Sequence, residues 1–447
     1  SQSLAKDFNF HSLLKFAFPS IIMMIFMSLY SIVDGFFIAQ YVDSMALSAA
    51  NIVYPAVSIL LAVGIMFGTG GSAVVAAKIG QEKQEEANRN FSALTLTTLI
   101  IGILGAVLGN LFCRQICSLL GATPVLMDYG TAYLRTILSF APVCLLQALF
   151  QSFFVTAGRP GLGLSLTVSA GITNMLLDYL FVVPLHLGVA GAALATGLGQ
   201  CIPAVAGILY FTFARKGFAY RPEFSKGLLS TSCFNGSSEM VSNLSAAVVT
   251  YLFNMLMLKF EGEIGVAAIT AILYGQFLFV ALYLGYSIGV APVFSFNYGS
   301  RNKQRLIRLY RISIRFVVVS SVIIALVAAF GSPVISAVFM QKGTYGFELT
   351  RHGGYLFSIA YLFCGTNIVA FRHFTALSDG SSALISFLRT FVFIVLSALL
   401  LPLVLGTNGV WLSIPVAEFL TLFISVPKLS RYFKDPKVAT ETQTSPN

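Results

Sequence analysis

The sequence predicts an all-α polytopic membrane protein of twelve transmembrane helices in two pseudo-symmetric six-helix bundles. Three observations carry this. The 447-residue chain is 57% hydrophobic but only 10% charged, where a soluble domain carries about 25% charged residues. Apolar runs long enough to cross a bilayer follow one another along the chain. Marks also recur between the halves at offsets of 218–220 residues: Tyr54 with Tyr274, Gly161 with Gly380, Pro184 with Pro402 and Gly191 with Gly409. A β-barrel is excluded, because its signal is alternating segments of about ten residues.

The spans fall near residues 11–39, 46–78, 91–112, 124–157, 162–185, 188–214, 230–258, 263–297, 306–330, 348–378, 380–403 and 408–428. Pro19, Pro55, Pro142, Pro203, Pro292 and Pro415 lie inside spans, where each removes a backbone hydrogen bond and marks a kink. The polar stretches GQEKQEEANR (80–89) and GSRNKQRLIR (299–308) both follow the second long helix of their half. Six spans per half give the copies the same orientation, a parallel repeat about an axis along the membrane normal. The expected organisation is a first lobe at 1–214, a basic cytoplasmic linker at 215–229, a second lobe at 230–432 and a disordered tail at 433–447.

Lys and Arg set the orientation. With the N-terminus inside, twenty-one of them fall in inner segments and four (Arg114, Lys259, Lys342, Arg351) in outer loops. Both termini are therefore expected in the cytoplasm. Arg372 is counted with the inner residues, while Arg135 and Arg389 fall within spans. The formal charge of +10 is spread over loops, not gathered on one face, which argues against nucleic acid. The N-terminal stretch SQSLAKDFNFHSLLKF has no small-residue cleavage site after a short apolar core, so no signal peptide is expected. The six cysteines contain no CxxC and read as small apolar side chains of helices.

The chemistry lies in the acids inside the spans. An ionisable group in hydrocarbon costs about 2.5–3.5 kcal/mol on insertion scales, so Asp34 and Asp178 require a reason to be there. Span 1 and span 5 run outward and span 6 runs inward. Asp34, Asp178 and Thr196 then all sit roughly 7–12 Å below the outer ends of their helices at 1.5 Å per residue. Asn174 is one turn deeper than Asp178 on the same face. Four oxygen-bearing side chains from three helices thus converge. Hard cations choose oxygen ligands, so the cluster suits Na⁺; alternatively the paired acids share a proton. The competing reading is a polar knot between packed helices.

Glu239 in span 7 is a further candidate, for a cationic substrate or a proton. Glu418 in span 12 is expected to face the bundle and pair with a polar neighbour, and Arg389 is a partner for an acid. Gln147, Gln151 and Gln276 are candidate substrate contacts, and Asn243, Asn254 and Asn367 add hydrogen-bonding groups. An aromatic cleft with few acids suits flat organic cations. No phosphate loop, paired metal-binding histidines or nucleophile elbow appears, so enzyme chemistry and a resident cofactor have no support.

SLYSIVDGFFIAQYVDSMALSAANIVYP (28–55), TNMLLDYLFVVPLHLGVAGAALAT (173–196) and TNGVWLSIPVAE (407–418) resemble segments of the multidrug and toxic compound extrusion (MATE) family. The resemblance covers about 10–430 and is nearest to the bacterial drug exporters of the MepA-like and DNA-damage-inducible type. It implies two six-helix lobes in a V, opening alternately, and a cation site at Asp34, Asn174, Asp178 and Thr196, with Glu239 as the acid of the seventh helix. Two positions depart from the pattern: Ala39 replaces a Gly often seen after the first-helix motif, and span 10 lacks an Asp, with Asn367 the nearest polar group. The expected function is antiport of small organic cations out of a bacterial cell against H⁺ or Na⁺, by a monomer in the plasma (inner) membrane. A lipid-linked precursor flippase and an ion channel are the alternatives.

Overall fold

In the computed structural model the described residues are 3–42, 44–120, 122, 124–213, 222–340 and 342–439. Within the helices some side chains also lie outside the description, among them those of 31–36, which include Asp34, and those of Asn254 and Tyr274.

Every regular element among the described residues is helical. The first half contains α1 (Phe10–Tyr41), α2 (Ser44–Gly80), α3 (Gln84–Leu111), the short α4 (Cys113–Leu119), α5 (Pro124–Ser139), α6 (Ala141–Thr156), α7 (Pro160–Val182) and α8 (Gly188–Phe213). The second contains α9 (Leu228–Glu261), α10 (Glu263–Gly299), α11 (Lys303–Phe339), α12 (Tyr345–Phe357), α13 (Tyr361–Ala376), α14 (Ser381–Phe387), α15 (Val395–Leu405) and α16 (Thr407–Lys434). Ten spans among the described residues are single stretches long and apolar enough to cross a bilayer. α5 and α6 form an eleventh if the bent pair is one span, and α9 is a further helix of 34 residues.

Three spans expected as continuous helices are interrupted. α5 and α6 meet at a 55° bend, where Pro142 in the first turn of α6 supplies no N–H to the preceding turn. The tenth span tightens to a 3₁₀ turn at Ser358–Ala360 between α12 and α13. The eleventh widens into a π-helical turn at Leu388–Ile394 between α14 and α15.

The repeat extends to the backbone. Positive φ angles occur at Glu82 and Arg301, at Gly158 and Ser378, and at Gly188 and Gly406. Each pair is separated by the same 218–220 residues that separate the sequence marks.

The lobes meet along α1, α2, α9 and α10: α1 packs on α10, and α2 packs on α9 and α10. The approach is backbone to backbone. A methyl on Gly70 would lie 1.9 Å from the Ser232 carbonyl oxygen, and one on Gly236 2.0 Å from that of Met66. In the equivalent place on the other side of the repeat, a methyl on Gly289 would lie 2.7 Å from Ala17 Cα. Only residues without a side chain permit this distance.

The contacts cluster toward the end of the molecule that carries both termini. Asp7, ahead of α1, pairs with Arg308 at 3.4 Å and Arg305 at 3.8 Å. Leu4 and Phe8 beside it are buried. Asp435, just past α16, pairs with Lys303 at 2.9 Å, and Ala439 N–H donates to the Tyr298 carbonyl. The tail expected to be disordered from 433 is therefore attached as far as Ala439; 440–447 lie outside the described residues. Much of the expected linker, 214–221, also lies outside them, but Glu223 and Ser225 bind Arg89 and Asn90 of α3. All six cysteines are free thiols, and four are buried.

Candidate functional site

α7 lies between α1 and α8 and carries the first-lobe cluster. Gly171 sets its distance from α1: a methyl there would lie 2.4 Å from the Phe26 ring and 3.2 Å from the Tyr30 ring. Gly199 of α8 does the same on the other side, 3.2 Å from Asn174 Cβ by the same measure. Asn174 follows Gly171 by about one helical turn and Asp178 by two, on one face. Both are buried, Asp178 completely. The Oδ1 atom of Asn174 has no hydrogen-bond partner among the described residues. Thr196 is half-buried, and its hydroxyl donates to the Ala192 carbonyl at 3.2 Å, leaving its lone pairs available.

Asp34 is in α1, one turn beyond Tyr30, and its side chain lies outside the described residues. α1 and α7 are the first and fifth spans and run in the same direction. The Tyr30–Gly171 contact therefore brings the Asp34 backbone to the level of Asn174 and Asp178. No Lys or Arg occurs between Lys15 and Lys78 or between Arg159 and Arg215, so α1 beyond Lys15, α7 and α8 bring no Lys or Arg to this region. Among the described residues no three His, Cys, Asp or Glu side chains form a metal-binding group. A cation bound here would rest on amide, hydroxyl and carboxylate oxygens, a donor set suited to Na⁺ or a proton rather than to a transition metal.

The second lobe holds two buried acid–arginine pairs. Glu418 of α16 is inaccessible and saturated. Arg389 Nε donates to its Oε1 at 2.7 Å and a second guanidinium nitrogen reaches the same oxygen. Asn367 of α13 donates to Oε2 at 2.8 Å and to the Glu418 carbonyl at 2.9 Å. Arg389 lies in the π-helical turn, which re-aims the residues it contains. Glu418 is expected to pair with a polar neighbour and Arg389 with an acid; the structure makes each the other's partner, and Asn367 joins them.

Glu239 of α9 is 1% exposed and accepts one bond from Arg372 Nη2 at 2.7 Å. Arg372 was counted with the inner loop residues on sequence. It lies toward the end of α13 with its side chain turned inward, 11% exposed. The signal was present in CGTNIVAFRHFTAL, where an arginine interrupts an apolar helix six residues before Ser378. The pair borders a small cavity between the lobes whose wall includes Thr69, Ser72 and Ser152 of the first lobe and Ser287 and Thr375 of the second. The hydroxyl-bearing wall from α2 was not singled out on sequence.

The glutamines are not brought to this cavity. Gln151 is half-buried and contacts the sulfurs of Met24 and Met27 at 3.6 Å each. Gln147 and Gln276 are half-buried elsewhere in their helices. Asn243 donates to the Glu239 carbonyl at 2.8 Å, one turn back on its own helix.

The MatE family model matches residues 19–180 and 240–403, one match in each half. The chain belongs to the MatE family. Among curated relatives of this MatE protein, a protein of Staphylococcus haemolyticus named multidrug export protein MepA is 25% identical over 430 residues, covering 93% of this chain and 92% of its own length. A Staphylococcus aureus protein of the same name is 22% identical over 432 residues, covering 92% and 91%. Among solved structures, an outward-facing multidrug resistance MATE family transporter superposes with a TM-score of 0.90 at 20% identity, covering 98% of each chain. A MOP superfamily transporter from Pyrococcus furiosus superposes with a TM-score of 0.88 at 19% identity, again covering 98% of each. The MATE fold, with twelve helices in two related bundles, is thus that of this chain. The family is one of membrane transporters and not of enzymes.

Proposed function

We propose that this protein is a secondary active exporter of small organic compounds, mostly cationic and aromatic, that moves them out of a bacterial cell in exchange for H⁺ or Na⁺. The observation that carries the reading is the burial of Asn174 and Asp178 on one face of α7, held between α1 and α8 by Gly171 and Gly199. The names of the staphylococcal relatives support export of drugs as the direction of transport.

In this reading both termini are cytoplasmic, as the basic residues of the inner segments favour. The protein acts as a monomer in the lipid of the plasma (inner) membrane. The lobes 1–214 and 230–432 rock about the linker 215–229, which with the tail completes the domain organisation. The close glycine contacts then seal the cytoplasmic side. A proton or Na⁺ entering from outside loads Asp34, Asn174, Asp178 and Thr196. Its charge alters the packing of α1 against α7 and favours opening toward the cytoplasm, where the ion leaves and substrate binds near Glu239.

The test is ethidium transport by proteoliposomes under an imposed proton gradient and, separately, a Na⁺ gradient. Wild type is expected to respond to one gradient, and Asp178→Asn to respond to neither while reconstituting at the same density. Wild-type rates in Asp178→Asn would remove the coupling role. Transport of a lipid-linked substrate instead, or ion conductance without exchange, would replace the exporter reading.

A further inference from the structure

The two acid–arginine pairs of the second lobe differ in how completely they are made. Glu418 uses both carboxylate oxygens, with Arg389 on one and Asn367 on the other. Glu239 uses one. Its Oε1 and the Nε of Arg372 are both buried without a hydrogen-bond partner among the described residues. Arginine and carboxylate ordinarily close as a two-bond fork where the pair is permanent. A buried oxygen left over carries a desolvation penalty that a second partner relieves.

The half-made pair also sits where something can reach it. It borders the cavity between the lobes, where Ser287 Oγ too has no partner among the described residues. Thr69 of that wall adjoins Gly70, and Glu239 is three residues beyond Gly236. The cavity therefore lies against the glycine contact between α2 and α9. Parting those helices exposes Glu239 and Arg372 together, whereas Glu418 and its partners Arg389 and Asn367 all belong to the second lobe.

We propose that Arg372 is a tethered counter-cation: it holds Glu239 while the lobes are sealed, and a cationic substrate entering from the sealed end displaces it and takes its place. Arg372 is thereby an affinity-setting residue of transport. Its absence from Glu239 lets the substrate cation bind, and its return helps drive the cation off once the lobes close. Because it makes one bond and not a fork, a lysine serves in its place, although Arg and Lys are not interchangeable at forked sites. The inference rests on the exporter reading above.

The test is ethidium efflux from proteoliposomes, with half-saturating concentration and maximal rate measured for wild type, Arg372→Gln, Arg372→Lys and the double variant Glu239→Gln/Arg372→Gln. Arg372→Gln is expected to lower the half-saturating concentration by about tenfold, the scale of one close buried charge pair, and to lower the maximal rate with it. Arg372→Lys is expected to restore both. The double variant, which leaves no buried charge and so keeps the fold if Arg372→Gln does not, is expected to raise the half-saturating concentration above wild type. A merely structural arginine would weaken binding when removed, and would not be replaced by lysine; that result overturns the proposal. If wild type moves ethidium and the half-saturating concentrations of all variants agree, the counter-cation role alone falls. If wild type moves no ethidium, the exporter reading falls and takes this proposal with it.

Discussion

Gly80 and Gly299 occupy equivalent places in the two halves and face each other across the interface. A methyl on Gly80 would lie 2.1 Å from the Phe296 carbonyl oxygen, and one on Gly299 2.1 Å from that of Ala77. The lobes are joined by backbone lying on backbone about their own symmetry axis. With Gly70 against Gly236, this makes a seal that tolerates no added atoms.

A valine at Gly70 is therefore expected to wedge the seal open. Overpacking of this kind costs about 1–3 kcal/mol, enough to shift a balanced two-state equilibrium several-fold. The check is labelling of Ser232→Cys, at a buried position, in a cysteine-free background. Adding Gly70→Val should speed labelling by a membrane-impermeant maleimide from the side that the termini face. Unchanged labelling would mean that these glycines do not hold the lobes together.

Asn174→Ala should separate ion coupling from folding. The Oδ1 atom it removes has no hydrogen-bond partner among the described residues, so its loss breaks no such bond. Gradient-driven efflux is expected to fall by about tenfold or more, the scale of one charge-assisted contact to a cation, with a proportionately much smaller change in melting temperature in detergent. A matched loss of both would assign Asn174 to packing instead.

Glu418 should behave in the opposite way. Removing one member of a buried ion pair costs about 3–5 kcal/mol, while replacing both with apolar groups of similar volume is often neutral. Glu418→Ala is thus expected to lower the melting temperature and the yield sharply, and Glu418→Met/Arg389→Met to restore them with ethidium efflux intact. Efflux lost in a stable double variant would make this pair part of the transport machinery.

Asp379, in the turn between α13 and α14, supplies a pH signature. Burial alone would raise its carboxyl, but hydrogen bonds from Tyr432 and Ser381 and the charge of Lys428 outweigh burial and bring it down to about 2. A carboxyl depressed by folding adds stability above its unfolded pKa of 3.8, and that contribution is lost as pH falls toward 2. Melting temperature is therefore expected to show no pH dependence from this group between pH 5 and 8, where its contribution is complete, and to fall between about pH 4 and 2. Tyr432→Phe, which removes one of the bonds, should move the fall to higher pH. An unchanged profile would mean that Tyr432 does not hold the carboxyl down.

The span count and the repeat were legible because hydrocarbon length and loop charge are written residue by residue. So was the shared face of Asn174 and Asp178, which needs only helical spacing. That Glu418 and Arg389 each need a partner was legible because both stand alone among apolar neighbours; that they are each other's partner was not, because it depends on which helices touch. The pairing of Arg372 was not legible because a count of basic residues by segment cannot see that an arginine near a helix end turns inward, toward an acid 133 positions away. The glycine seal was not legible because it depends on which two helices touch. The bend after Ser139 was foreshadowed by Pro142, but the π-helical turn at Leu388–Ile394 was not legible, since no proline marks it.

The segment ahead of α1 carries one last consequence. Asp7 belongs to the first lobe's chain but is held by Arg305 and Arg308 of the second, and its side chain is 61% exposed. Exposed pairs of this kind are worth about 0.2–1 kcal/mol and weaken as dissolved ions screen them. They span the parting line of the lobes, so each must break when this end opens. In the proposed transport cycle, the resting bias between the two conformations thus depends on the ionic strength of the compartment that this end faces. A salt-free preparation is then expected to hold this end shut more firmly than the cell does.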